Sequence, residues 1–366
     1  MRSTLQIAFL LLIVLAFFVG LEVIRVTVGV VGAGAARDLV ALASNPLVGL
    51  FVGVLATALL QSSSTTTALA VTFAGAGVLP FEAAIPIVMG ANVGTSITST
   101  AVAFGHVTRT DEFRRAMASA TVHDAFNALA VLLLFPIELA TGLIARTSEL
   151  LVQLTSGLGG DAVLRPVSSV VEPIAEAIVG WVPSAWVALL AGLLMLFGAL
   201  RLLVRLLREV LLERAEQLLD RYVFGTPGVA LLCGALVTML LQSSSITTSI
   251  VVPLAGAGIL TTRQVFPFVL GANLGTTITA IVVGFLLAGG DSATGGLALQ
   301  VAFAHVCFNA FGVGLIASVP ALRRLPLQAA ERLGRLAADN RALAVGYLVG
   351  FFFLLPLLVL FSTRSY

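Results

Sequence analysis

The sequence predicts an all-α polytopic membrane protein. Two inverted-topology repeats, each with a re-entrant helical hairpin carrying Gln-Ser-Ser-Ser, precede a C-terminal transmembrane helix. Three observations predict it. Of the 366 residues, 59% are hydrophobic and 10% charged, where a soluble domain carries about 25% charged residues, and the mean hydropathy is +1.09. Apolar runs close to the ~20 residues that a bilayer requires recur along the chain. Inside such sequence, Gln61-Ser62-Ser63-Ser64-Thr65-Thr66-Thr67 returns as Gln242-Ser243-Ser244-Ser245-Ile246-Thr247-Thr248.

The repeat extends well past those motifs. Pro86 matches Pro267, and Gly90-Ala91-Asn92-Val93-Gly94-Thr95 matches Gly271-Ala272-Asn273-Leu274-Gly275-Thr276, all at the offset of 181 that separates Gln61 from Gln242. His123-Asp124-Ala125-Phe126-Asn127 then matches His305-Val306-Cys307-Phe308-Asn309 at an offset of 182. Hydroxyls and carboxamides cost free energy in hydrocarbon unless something polar lies beside them. Having that cost twice, at matched positions, points to one shared polar site at membrane depth, the pattern of a carrier built from a repeat.

The elements follow in order. Residues 1–136 form the first repeat. Its first span is Leu5–Leu21, which resembles a signal peptide but lacks a small-x-small cleavage site, so a retained helix is expected. The apolar arms flanking Gln61 within Pro46–Leu79 are each too short to cross alone. That segment is therefore read as a hairpin (residues 46–79) whose tip holds the serines near the midplane, where irregular backbone must line a polar cavity. Ala83–Phe104 and Ala116–Phe135 complete the repeat. Residues 137–185 are an external connector lying partly along the interface. Residues 186–320 hold the second repeat: span Trp186–Leu203, amphipathic segment Arg201–Arg221, hairpin 227–260, and spans Val265–Leu287 and Leu297–Val319. Residues 321–366 supply a cytoplasmic amphipathic segment and a final span, Ala342–Phe361.

Three full crossings per repeat is an odd number, so the second repeat enters inverted. With a cytoplasmic N-terminus, 15 of the 20 arginines fall inside, as the positive-inside rule requires of a plasma-membrane protein. The net charge of +2 singles out no acidic partner, and neither nucleic acid nor an organic cofactor is expected. Cys233 and Cys307 read as small buried hydrophobes, and His123 and His305 as satisfied core residues rather than metal ligands. The oligomeric state is left open.

The polar constellation suggests its chemistry. Hydroxyls donate to anions and accept cations, while Gln61, Gln242, Asn92 and Asn273 offer carboxamide oxygens, hard ligands suited to an alkali cation. Helix N-termini just after the serines favour an oxyanion such as phosphate. No arginine lies in either motif, so a bound oxyanion needs co-bound cations, which is the physical basis of symport. Thr95 and Thr276 extend the polar surface. Asp124, a carboxylate well inside a span, is a candidate for an additional cation, or else a structural partner of His123 or Arg115. A serine hydrolase using Ser63 or Ser244 is disfavoured by the lack of a nucleophile elbow.

These residues, with Asp111-Glu112-Phe113-Arg114-Arg115-Ala116 leading into Thr121–Asn127, resemble the type II sodium-dependent phosphate cotransporters over roughly Asn45–Pro136 and Gly225–Pro320. The resemblance implies sodium-driven uptake of inorganic phosphate through inverted repeats, with Na+ as coupling ion. It implies that Ser62, Ser63, Ser64, Ser243, Ser244 and Ser245 hold phosphate. Gln61, Thr66, Asn92, Thr95, Asn127, Gln242, Asn273, Thr276 and Asn309 would serve sodium, and Asp124 would go with electrogenic transport. Electrogenic members carry a Gly-Asp pair where this chain has Val107–Thr110, and a serine at the position of Ala272. The alternative reading is a sodium-coupled carrier of another oxyanion or a carboxylate.

Overall fold

A computed structural model describes residues 45–75, 77–156, 160–195, 198, 199, 202, 223–288 and 295–363, with scattered positions between 9 and 27. Every regular element among these residues is helical. The predicted first span Leu5–Leu21, segment Arg201–Arg221 and the distal part of Trp186–Leu203 lie largely outside the described residues.

Helix α1, Pro46–Leu60, starts with proline in its first turn, and Asn45 caps it by accepting from the Leu47 amide at 3.0 Å. It stops at Gln61, and α2, Ser63–Gly75, begins two residues later. Helices α3, Phe81–Gly94, and α4, Ile97–Ala103, run almost continuously into a 3₁₀ turn at Phe104–His106. Helix α5 covers Thr110–Thr141. It continues through Pro136, where sequence reasoning ends the span, and is closed by Gly142 at φ 61°. Proline costs one backbone bond there, but glycine supplies the left-handed turn that stops a helix. The connector is itself helical: α6, Leu143–Ser156, and α7, Gly160–Trp181, lead to α8, Ala185–Met195.

The second copy repeats this order as α9, Pro227–Leu241, α10, Ser244–Gly256, α11, Thr262–Ala288, and α12, Gly295–Ser318. The chain closes with α13, Pro320–Asp339, and α14, Arg341–Val349, then a π turn at Gly350–Leu354 and α15, Leu355–Thr363. Five stretches among the described residues are long and apolar enough to span a bilayer: Phe81–His106, Thr110–Thr141, Thr262–Phe285, Gly295–Ser318 and Arg341–Thr363. Helices α1, α2, α9 and α10 have 13 to 15 residues, about 20–22 Å at 1.5 Å per residue. That falls short of the ~30 Å hydrocarbon core.

Two packing rules position the site. Within each copy, the first short helix lies against the first long one, α1 on α3 and α9 on α11, in contact so close that only glycine fits. A Cβ on Gly90 would come within 1.9 Å of the Leu50 carbonyl oxygen, and one on Gly271 within 1.8 Å of the Leu231 oxygen. Between copies, the second short helices are exchanged: α2 packs on α11 and α12, while α10 packs on α4 and α5. Buried Val71 and Ala74 of α2 belong to the same apolar core as Val283, Leu287, Ala298 and Ala302 of the other copy. Helix α13 lies along α5, and α15 along α1.

The copies differ at one break. The first long helix is interrupted at Thr95–Ser96, whereas α11 runs through the matching Thr276–Thr277. The break coincides with the Thr95 carbonyl accepting the Ser245 hydroxyl at 3.1 Å, which gives that carbonyl a partner from the opposite copy. Only the first of the two matched helices is broken.

Candidate functional site: a polar seam between the two copies

The site begins with two glutamines. Gln61 (φ 55°, ψ 29°) and Gln242 (φ 53°, ψ 25°) are the only non-glycine residues at positive φ among the described residues. A left-handed conformation costs an L-residue roughly 1–2 kcal/mol, and here it ends one helix and lets the next begin at once. Each following helix is capped by its first motif serine. Ser62 Oγ accepts from the Thr65 amide at 3.2 Å, and Ser243 Oγ from the Ile246 amide at 3.3 Å.

The three serines of each motif, equivalent as sequence, thus have different positions and partners. The third reaches across the molecule: Ser64 Oγ donates to the Gln242 carbonyl at 3.2 Å, and Ser245 Oγ to the Thr95 carbonyl at 3.1 Å. The middle pair, Ser63 and Ser244, is 3% and 2% exposed. Neither hydroxyl has a hydrogen-bond partner among the described residues. Thr66 Oγ1 donates to the Ser62 carbonyl at 3.1 Å and accepts from Thr57 at 2.9 Å. Thr95 and Thr276 bond back to their own helices, to Ala91 at 3.0 Å and Ala272 at 2.9 Å.

A directed chain of carboxamides crosses the seam. The Asn273 carbonyl oxygen can only accept, so His123, 2.7 Å away, carries its proton on Nε2. Asn273 Nδ2 donates to Asn127 Oδ1 at 2.7 Å, and Asn127 Nδ2 to the Asn92 backbone carbonyl at 2.7 Å. His123 and Asn127, four residues apart, share one face of α5.

The counterparts of this chain are not joined. Asn309 donates only to the His305 carbonyl of its own helix at 3.0 Å. Its Oδ1 and both ring nitrogens of His305 are buried without a partner among the described residues. The expectation that both histidines are satisfied core residues therefore fails for His305, and holds for His123 at Nε2 alone, since its Nδ1 is likewise buried without a partner among the described residues. A second pair shows the opposite asymmetry. Gln242 Oε1 accepts a hydrogen bond from Thr279, and its Nε2 donates to the Met239 carbonyl at 2.5 Å. In the first copy the matching Thr98 hydroxyl is buried without a partner among the described residues.

Asp124 points away from that chain, as the residue next to His123 on a helix must. It is buried, and its Oδ2 accepts from Tyr347 Oη at 2.6 Å and Thr100 Oγ1 at 3.3 Å; Oδ1 has no partner among the described residues. Neither His123 nor Arg115 pairs with it, and Arg115 Nε donates instead to the Gly256 carbonyl at 2.9 Å. The structural partnership weighed from sequence is thus replaced by a tyrosine from α14. Tyr347 stacks on Phe351 at 5.6 Å and meets Phe352 edge-on at 6.1 Å. Sequence reasoning overlooked Tyr347 and Thr100. The available signal was a lone phenol in the apolar run Ala342–Phe361, because a buried hydroxyl needs a partner.

The seam brings together Gln242, Ser64, Ser245, Thr95, Asn92, Asn127 and Asn273; Asn309 makes no bond to it. Among the described residues, no group of three or more His, Cys, Asp or Glu comes together. The arrangement offers neutral hydroxyl donors, carboxamide oxygens and one carboxylate with a free oxygen. That chemistry suits an oxyanion accompanied by hard monovalent cations.

Comparison with known proteins gives the following. The family model described as Na+/Pi-cotransporter matches residues 16–156 and 194–338. The Homo sapiens sodium-dependent phosphate transport protein 2B is 33% identical over 408 residues, covering 86% of this chain and 59% of the relative. The Ovis aries sodium-dependent phosphate transport protein 2A is 33% identical over 435 residues, covering 98% of this chain and 67% of the relative. The chain thus spans about three fifths to two thirds of the length of these relatives. No solved structure matches it.

Proposed function

This chain belongs to the Na+/Pi-cotransporter family, and we propose that it is a sodium-coupled symporter. It imports inorganic phosphate across the plasma membrane by alternating access and converts nothing chemically. The observation that carries this reading is the meeting of the two motifs, where Ser64 Oγ of one copy donates to the Gln242 carbonyl of the other at 3.2 Å. In this reading α1–α2 and α9–α10 are re-entrant hairpins entering from opposite faces, and the two repeats are inverted. The short arms and the exchanged packing of α2 and α10 support it. The arginine-rich end and the N-terminus face the cytoplasm.

Phosphate lies between Ser62–Ser64 and Ser243–Ser245. Ser63 and Ser244 supply the uncommitted donors, and the N-termini of α2 and α10 add backbone amides. The carboxamide and hydroxyl oxygens of Gln61, Thr66, Asn92, Thr95, Asn127, Gln242, Asn273, Thr276 and Asn309 serve sodium. Neutral donors alone compensate a dianion poorly, so cation and anion bind together; that mutual requirement is the coupling. A further sodium at Asp124 makes the cycle carry net charge, about 2.3 kcal/mol per 100 mV.

The reciprocal asymmetry suggests how the site changes sides. Gln242–Thr279 is closed where Gln61 and Thr98 are open, while the Asn127–Asn273 link is closed where Asn309 is open. Exchanging which copy is closed interconverts two arrangements of matched bonding. Their energies are therefore close, as a carrier requires.

The test is labelled phosphate uptake into proteoliposomes with an inward sodium gradient and with potassium in its place. Uptake that is the same in both removes sodium coupling. Stronger competition by sulfate or succinate than by arsenate reassigns the substrate to another oxyanion or a carboxylate.

A further inference from the structure

A groove of about 860 Å³ lies where the starts of α9, α11 and α13 converge, away from the seam. Arg263, Arg323 and Arg324 line it and are exposed. None of the three is in an ion pair with a described residue. Glu331 is the one carboxylate on the wall, so three guanidiniums against one acid leave a net positive lining. The floor is apolar: Leu231, Phe266, Leu270 and Leu327. A smaller cavity nearby shares Glu331 and adds Arg114, Arg115 and Arg335, so six arginines gather at this end.

Helix α9, whose Pro227, Gly228 and Leu231 line the groove, also carries an apolar outer surface. On α9, Val229, Leu232 and Leu236 are 43%, 57% and 46% exposed and, spaced three and four residues apart, form a single stripe. A large exposed apolar stripe on a membrane helix faces lipid. A ligand suited to this site has an oxyanion at the arginines and hydrocarbon along the stripe.

We infer that the groove binds the headgroup of an anionic phospholipid, from the leaflet on the arginine-rich side, with an acyl chain running along α9. The shared chemistry is a phosphate oxyanion held by guanidinium groups, which meet it through paired N–H donors. The apolar floor and the adjoining stripe favour a lipid over free inorganic phosphate, which would gain nothing from either. Basic pockets between spans are the usual form of such sites. The inference goes beyond the transport reading and does not depend on it, since its readout is lipid binding rather than uptake.

The experiment is native mass spectrometry of the purified chain in neutral detergent, titrated with phosphatidylglycerol, phosphatidylcholine or inorganic phosphate, with thermal unfolding measured in parallel. Phosphatidylglycerol should be retained in preference to phosphatidylcholine and raise the unfolding temperature. The triple variant R263Q/R323Q/R324Q should lower phosphatidylglycerol affinity on the order of a hundredfold, about fivefold per charge, and leave phosphatidylcholine retention unchanged. Arg146→Gln, on α6, should change nothing. If the triple variant unfolds in phosphatidylcholine, Arg324→Gln alone should still cost about fivefold. Equal retention of the two lipids by the wild type, or undiminished phosphatidylglycerol binding by the variants, overturns the inference. Inorganic phosphate that displaces the lipid at equal concentration reassigns the groove to a free anion and overturns it too.

Discussion

Replacing Gly90 or Gly271 with alanine tests the close approach on which the seam rests. The added Cβ would lie 1.9 Å from the Leu50 carbonyl oxygen in one case and 1.8 Å from that of Leu231 in the other. Real Cβ atoms essentially never come within 3.0 Å of such a neighbour, so the two backbones must part by about 1.1–1.2 Å. Neither obstacle is a flexible side-chain end. Overpacking of this kind costs typically 1–3 kcal/mol, and a rigid backbone contact belongs at the upper end. Because α1 ends at Gln61 and α9 at Gln242, the displacement is carried to the motifs. Geometry lost by about 1 Å can cost up to ~10²-fold in rate. Thermal unfolding and sodium-driven phosphate uptake should therefore fall together for Gly90→Ala and Gly271→Ala. Gly314→Ala, where a Cβ meets nothing within 4 Å, should leave both unchanged or raise stability slightly, since alanine is the better helix former. Wild-type uptake and unfolding temperature in Gly90→Ala would refute the argument that helix separation sets the site.

Further expectations follow from the same geometry. Ser63→Ala and Ser244→Ala should each weaken phosphate binding about 2- to 13-fold, one neutral hydrogen bond, at unchanged stability; Ser62→Ala, losing a cap, should cost about 0.5–2 kcal/mol in unfolding. The reverse pattern, read by uptake kinetics and denaturation, would discard the division of labour among the serines. Tyr347→Phe removes the 2.6 Å bond to Asp124, a charge-assisted contact of about 1.5–3 kcal/mol. Sodium activation should shift by more than tenfold while phosphate affinity at saturating sodium holds. Asp124→Gly should preserve uptake and abolish any transport current, and a current that persists removes Asp124 from carrying charge. Thr279→Val breaks the closed Gln242 pair and should shift the inward–outward balance by about 2- to 13-fold, read by the sidedness of labelling of an engineered cysteine. Thr98→Val, which removes an unpartnered hydroxyl, should not shift it the same way.

Much of the architecture was legible because a bilayer imposes a one-dimensional length test. Arms of 13 to 15 residues cannot cross what 23 to 32 residues can, and that difference is visible in the letters. Asn45–Pro46 and Gln61 mark helix limits locally, and the repeated offset identifies which positions correspond. Other limits were misplaced. Pro136 reads as a terminator, yet α5 passes through it to Gly142, and the break at Thr95–Ser96 coincides with a hydroxyl contributed by the opposite copy.

By itself, the sequence determined the helical class, the duplication and the chemical inventory of hydroxyls, carboxamides and the carboxylate of Asp124 well inside a span. Those follow from composition, run length and periodicity, which neighbouring residues decide. Only the tertiary structure decided which serine caps, which crosses and which stays free, and that Asp124 answers to Tyr347, 223 residues away. It alone decided which copy's pairs are closed. Matched local sequences have largely matched local preferences, so a difference such as the break at Thr95–Ser96, whose carbonyl accepts Ser245 of the other copy, shows only once the copies are packed together.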